Sequence, residues 1–234
     1  MKLILNADRF FDPEPSVRKI ARELSLEVKT LPLVCPHGDV EPELLFRNEP
    51  FPNPTELFFT PDHYLFRMLY SQGISLESLG LPMKDGSRGE TDSHKIWQVF
   101  AENFHLFAGT PSALWLNYEL AEVLGIDEKL NGDSAMRIYD KIQEKLRSPE
   151  FLLRALFDRF NIEVLSTTDA VESRLEHHKE LRESGWNGTI IPFFRPDGVT
   201  DIREDWREKI VAFDEVCGFE IGSCSRFIQA LADD

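Results

Sequence analysis

The run LPLVCPHGD at residues 31–39 ends on two metal-binding side chain types, His37 and Asp39, one residue apart. An imidazole and a carboxylate at that spacing can share a divalent cation, or they can sit in an ordinary turn. The pair alone does not choose between the two. Asp62-His63-Tyr64 sets an imidazole beside a phenol, two groups able to move protons in a reaction; the other reading is a packing pair at a helix start. Arg67 stands four residues after His63 and can join the same helix face, or pair with Asp62 or Glu56. A third group is Thr167-Thr168-Asp169 followed by Arg195 and Asp197. A guanidinium fork matches the two oxygens of a carboxylate, so Arg195 is a candidate for holding an acidic ligand, or for an ion pair with Asp197 or Asp169. Asp169 itself is expected to cap the helix that follows it. His177-His178, within a run of charges, is expected on a solvated helix face, and Cys35 is expected to be a small apolar packing residue.

These groups need elements to position them. PSVRKIARELSL spaces apolar residues at Val17, Ile20, Ala21 and Leu24, the period of an amphipathic helix. LPLVC reads as a short buried strand ending at His37, and residues 41–53, rich in Pro and Glu, read as an extended loop. From 61 to 147 the pattern is helical: Asp62 caps a helix that stops at Gly73, helices follow at 93–107 and 111–124, and another begins at Asp133 or Ser134 as capping residue. A polar linker, KDGSRGET, occupies 84–91. After Ser148 a helix, a strand IEVLSTTD, a helix AVESRLEHHKELRES and a strand GTIIPFFRPD succeed one another. That β-α-β order implies parallel strands covered by helices. The expected division is therefore 1–60 for the first helix, strand and loop, 61–147 for a helical insertion, and 148–234 for β/α units with strands near 162–169 and 188–195. All three candidate strands end in polar side chains at the C-terminal edge, where parallel α/β folds place their chemistry.

The chain has 234 residues, 42% of them hydrophobic, enough for a substantial core. Its 41 acidic residues against 26 basic ones give a formal net charge of −15. That field repels phosphate backbones and anionic lipid surfaces, so nucleic acid and membranes are not expected partners. Cys35, Cys217 and Cys224 form no metal-type or disulfide-type spacing, no apolar run is long enough to span a bilayer, and MKLILNADRFF lacks a signal-peptide core. Together these indicate a cytoplasmic protein.

Five of these segments in order, VCPHGD, DHYLFRM, GTPSALWLNYELAEVLGI, VLSTTDAVESRLEHH and PFFRPD, resemble the uronate isomerases of the metal-dependent amidohydrolase superfamily. The resemblance implies the N-terminal portion of a TIM (β/α)8 barrel of the metal-dependent hydrolase type, interrupted by an all-helical insertion. It implies an aldose-ketose isomerase interconverting D-glucuronate with D-fructuronate, and D-galacturonate with D-tagaturonate, by proton transfer between C2 and C1 of a small sugar acid. By the same resemblance, His37 and Asp39 would be metal ligands for Zn²⁺, with Mn²⁺ or Mg²⁺ as alternatives. His63 and Tyr64 would be catalytic, and Arg195, His63 and Arg67 would bind the substrate. The chain departs from the family where Asp39 replaces the second histidine of H-x-H and Asn117 replaces another histidine. It also resembles only the N-terminal half of such an enzyme. An open half-barrel exposes unpaired strand edges, so a homo-oligomer is expected, and a non-catalytic half needing a partner is the alternative reading. A metal-dependent hydrolase or decarboxylase is a second alternative, against which DHY and RPD argue.

Overall fold

The computed structural model of the chain describes residues 2–83 and 85–233. Met1, Asp234 and Lys84, the expected start of the polar linker, lie outside the described residues. In chain order the main elements are α1 (Pro15–Val28), β1 (Leu33–Cys35), α2 (Pro42–Arg47), α3 (His63–Ser71), α4 (Ser93–Glu102), α5 (Pro111–Tyr118), α6 (Ala135–Leu146) and α7 (Leu153–Arg159). There follow β2 (Ile162–Ala170), α8 (Glu176–Glu183), β3 (Thr189–Arg195), α9 (Asp197–Thr200), α10 (Trp206–Cys217) and α11 (Cys224–Asp233). Among the described residues no helix is long and apolar enough to cross a membrane.

The chain forms two compact units. One comprises residues 1–29 and 50–152, the other 30–49 and 153–234. This partition interleaves the chain and so cuts across the linear division at 60 and 147.

The first unit is helical. Its core is aromatic: Trp97 and Phe100 are buried on α4 beside Phe59, Phe104 and Phe107, with Phe59 and Phe100 ring centroids 5.3 Å apart. Trp97 keeps its indole N–H satisfied by donating to Ala135 O at 3.0 Å, which burial of that group requires. The side chain of Asp62 caps α3, accepting from Tyr64 N at 2.8 Å, as its position before the apolar run predicts. Neither expected cap of α6 supplies a capping oxygen. Ser134 occupies the position, but its hydroxyl donates to Lys129 O at 2.7 Å and accepts from Asn131 N at 3.0 Å, stitching the preceding turn instead. On α1 the predicted apolar stripe forms, with Val17, Ile20 and Leu24 exposed.

The second unit is built on a parallel sheet in the order β1-β2-β3. Leu165, Leu45, Phe157 and Leu181 pack together on one side of it. A second apolar cluster gathers Val171, Val199, Ile210, Phe213 and Ala230. Three local expectations are corrected here. The 41–53 loop contains the helix α2, begun by a proline at its first position, where a missing N–H costs nothing; Arg154 donates to its terminal carbonyls, Leu45 O and Phe46 O, at 2.8 and 2.9 Å. β1 is not buried: as an outer strand it leaves Leu33 and Val34 exposed. The helix expected from Ala170 starts only at Glu176, because β2 stays paired through Ala170, opposite Arg195, and Leu175 takes a left-handed backbone with φ 53°.

The largest departure lies where β2 meets α8. Asp169 caps nothing, and His178 is not solvated. The two side chains are only 7% and 2% exposed, with His178 Nε2 3.2 Å from Asp169 Oδ2. Thr167 donates to the same carboxylate oxygen at 2.6 Å and its hydroxyl lies 3.0 Å from His178 Nε2. Removing one member of a buried pair strands the other without its partner, a cost of about 3–5 kcal/mol. Asp169→Ala is therefore expected to lower unfolding stability by about that much, measured by urea denaturation at pH 7 with an unchanged slope. A loss below about 1 kcal/mol would show that the triad does not hold β2 to α8.

Candidate functional site

In the sheet unit the three strand ends converge as their sequence order suggested. After β1 the chain crosses β2 closely: Gly38 N donates to Ser166 O at 2.9 Å. A Cβ at position 38 would lie 2.4 Å from Leu165 Cδ1 and 2.5 Å from Ser166 O. Only glycine lets His37 and Asp39 flank that crossing. Asp39 then turns back with φ 45°, and its carboxylate accepts from Thr168 Oγ1 at 2.9 Å. Its other oxygen lies 3.3 Å from His37 Nδ1.

Arg195, at the end of β3, donates from Nε to Asp197 at 3.0 Å and places Nη1 3.7 Å from Asp39. The His37 ring lies 5.6 Å from that of Phe193. His37 and Asp39 are more than half exposed and Arg195 about two-fifths, so these pairs add little net stability and stay accessible to a ligand. Arg195 thus takes up the ion pair with Asp197 while keeping a partly exposed guanidinium.

His37 and Asp39 do not complete a metal centre by themselves. Among the described residues no three His, Cys, Asp or Glu side chains gather closely enough to hold an ion, and a protein site ordinarily supplies at least three. One Asp39 oxygen is already engaged by Thr168.

The other expected residues belong to the helical unit. His63 and Tyr64 form the first turn of α3, both exposed, with ring centroids 4.1 Å apart. They line a cavity of about 340 Å³ together with Asp62, Ser112, Trp115 and Glu119. Arg67 lies one turn along α3 and is exposed. Its two expected partners are otherwise engaged, Asp62 in the helix cap and Glu56 in accepting from Asn53 at 2.6 Å. Asn117 turns back to its own helix, donating to Ala113 O at 2.7 Å.

Sequence reasoning missed two groups. His178 could have been found from Leu175 and Leu181, which place it on the inward stripe at i+3 and i−3. Glu119 gave no signal beyond lying in the WLNYEL segment. It opens the π-helical turn, Glu119–Val123, that ends α5, closed by Leu124 N donating to Glu119 O at 2.9 Å. Burial pushes its carboxyl up to about 7, with the negative charge of Asp62 adding to the effect.

The sequence model of the glucuronate isomerase family matches residues 14–234. The chain belongs to that family. It is 50% identical to a uronate isomerase of Nostoc punctiforme over 99% of its own length and 49% of the relative's. To a uronate isomerase of Brucella canis it is 49% identical, over 92% and 47%. The crystal structure of glucuronate isomerase from Caulobacter crescentus superposes with a TM-score of 0.92 at 43% identity, covering 98% of this chain and 48% of that one. For the uronate isomerase of Thermotoga maritima the TM-score is 0.83 at 28% identity, over 97% and 48%. The chain spans about half the length of these family members.

Glu119 gives this family member a pH signature. From its ordinary value of 4.5 up to about 7, the folded chain holds a proton that the unfolded chain has shed, so this group's contribution to stability falls as pH rises through that window. Glu119→Gln, which mimics the neutral form, is expected to match the parent near pH 5 and to be more stable by about 2 kcal/mol at pH 8, allowing for partial exposure. Thermal or urea unfolding at the two pH values checks it; equal differences at both would assign the pH dependence elsewhere.

Proposed function

We propose that this chain carries uronate isomerase chemistry, interconverting D-glucuronate with D-fructuronate and D-galacturonate with D-tagaturonate. The observation that supports it most is Arg195, partly exposed beside His37 and Asp39 at the C-terminal edge of a parallel sheet, in a chain of the glucuronate isomerase family. In this reading the sheet is the N-terminal portion of a TIM barrel of the amidohydrolase type, whose chemistry belongs at that edge. Arg195 holds the substrate carboxylate by its fork of N–H donors. His63 and Arg67 contact the sugar hydroxyls, and Tyr64 passes the proton between C2 and C1.

Among the described residues His37 and Asp39 bring two donors to this edge. A divalent ion, Zn²⁺ or in its place Mn²⁺ or Mg²⁺, would be held by those two side chains together with further donors and would polarise a bound oxygen. The setting is cytoplasmic. The exposed Leu33, Val34, Ile191, Phe193 and Phe194 on the outer strands support a homo-oligomer that covers them.

A coupled assay of D-glucuronate to D-fructuronate on the purified chain is expected to show turnover. Arg195→Ala is expected to lower kcat/KM by about 10- to 100-fold, the worth of one charge-assisted pair with a carboxylate. Well-folded chain with no turnover on either uronate would refute the activity for this chain. Metal analysis after dialysis against Zn²⁺ separately reads the shared ion: His37→Ala is expected to reduce bound zinc at least tenfold, and equal zinc in both would remove His37 from the donor set.

A further inference from the structure

The cavity of the helical unit holds a group that the reading above does not use. We propose that Glu119 is a binding residue of the His63–Tyr64 cavity, donating a hydrogen bond through its carboxyl O–H to a hydroxyl or carbonyl oxygen of a bound sugar acid. This deepens the isomerase reading and rests on it for the class of ligand.

Four observations carry it. Glu119 shares a cavity of about 340 Å³ with His63 and Tyr64, a volume that suits a single sugar. Its backbone opens the π-helical turn that closes α5, which fixes its position one turn after Trp115 on the cavity wall. The cavity carries two acidic groups, Asp62 and Glu119, and no arginine or lysine among its lining. An anionic sugar would therefore not turn its carboxylate toward this cavity, whereas its neutral hydroxyl and carbonyl end can enter. Finally, Trp115 and Tyr64, which line the cavity, are 62% and 63% exposed, leaving aromatic surface accessible beside these polar groups.

The two carboxyls differ in what they can do. Asp62 spends an oxygen on Tyr64 N and Leu65 N as the cap of α3 and is committed as an acceptor. Burial, with the charge of Asp62 adding to it, pushes Glu119 up to about 7, so its carboxyl carries a donor proton below that pH and is about half protonated at it. The other titratable groups lining the cavity are His63 and Tyr64, so the pH response of Glu119 must be separated from that of the histidine.

The test is titration of the full chain with D-glucuronate, followed by Trp fluorescence, at pH values from 6 to 8. Trp115 is the tryptophan that lines this cavity, while Trp97 is buried. Parent protein is expected to bind about tenfold more weakly at pH 8 than at pH 6, as the donor proton is lost. Glu119→Gln keeps an amide donor and is expected to bind with nearly the same affinity across that range. Glu119→Ala is expected to bind at least fivefold more weakly than parent at pH 6, with circular dichroism showing the fold intact. The ¹³C resonance of the Glu119 carboxyl, assigned by its loss in Glu119→Gln, is expected to titrate near 7 and so to separate it from His63.

Absence of saturable binding by the parent overturns the proposal. So does a Glu119→Gln protein that keeps the parent's pH dependence, or a folded Glu119→Ala protein that binds like the parent. The two readings fail differently. Binding with this pH pattern but without turnover upholds the inference and sinks the activity; turnover with unchanged pH dependence in Glu119→Gln does the reverse.

Discussion

The sheet edge depends on the two-residue alternation of β2. Thr167 and Asp169 face α8 and are locked by the buried His178, while Thr168, between them, faces the other way and holds Asp39. One strand therefore fixes a buried network on one side and an exposed cluster on the other. Its pairing with both neighbours, Leu165 opposite Cys35 and Ala170 opposite Arg195, sets how far each strand end projects. A slip of one residue would exchange the two faces, exposing Asp169 and burying Thr168.

The helical unit positions its groups differently. Caps and an irregular turn do there what strand register does in the sheet. Asp62 fixes the first turn of α3 and thereby the direction of His63 and Tyr64. The π-helical turn places Glu119 where water is partly excluded, and desolvation then changes what its carboxyl can offer. Each unit uses one carboxylate to organise backbone or side chains (Asp62, Asp169), and holds a second one elsewhere, part-buried in Glu119 and exposed in Asp39.

The strands and most helices were legible in the sequence because their signals are local. β-branched runs bounded by polar residues marked β2 and β3, and Asp62 before an apolar stripe marked α3. The convergence of His37, Asp39 and Arg195 was legible too, since parallel strands bring their C-terminal ends to one edge. What was not legible depends on contacts remote in sequence. The burial of His178 requires Asp169, nine residues away and on another element, and a run of charges around it hid the inward face. Leu33 and Val34 looked like core residues because their composition does not say whether a strand lies inside a sheet or at its margin. Pro42 read as a loop former, although at the first position of a helix it is a starter. Glu119 was silent, because a π-helical turn has no composition that distinguishes it from the α-helix it ends.

The left-handed backbone at Asp39, with φ 45°, has a consequence for how this site can vary. Side chains with a branched β-carbon are excluded from that conformation, and of the polar residues Asn, Asp and His enter it most readily. The position therefore admits a short alphabet, of which two members, Asp and His, are metal ligands and differ by a full unit of charge. A histidine at this position is compatible with the same backbone conformation. The crossing at Gly38 and the left-handed turn at Asp39 set the backbone at this edge, and the residue that occupies the turn sets the charge there.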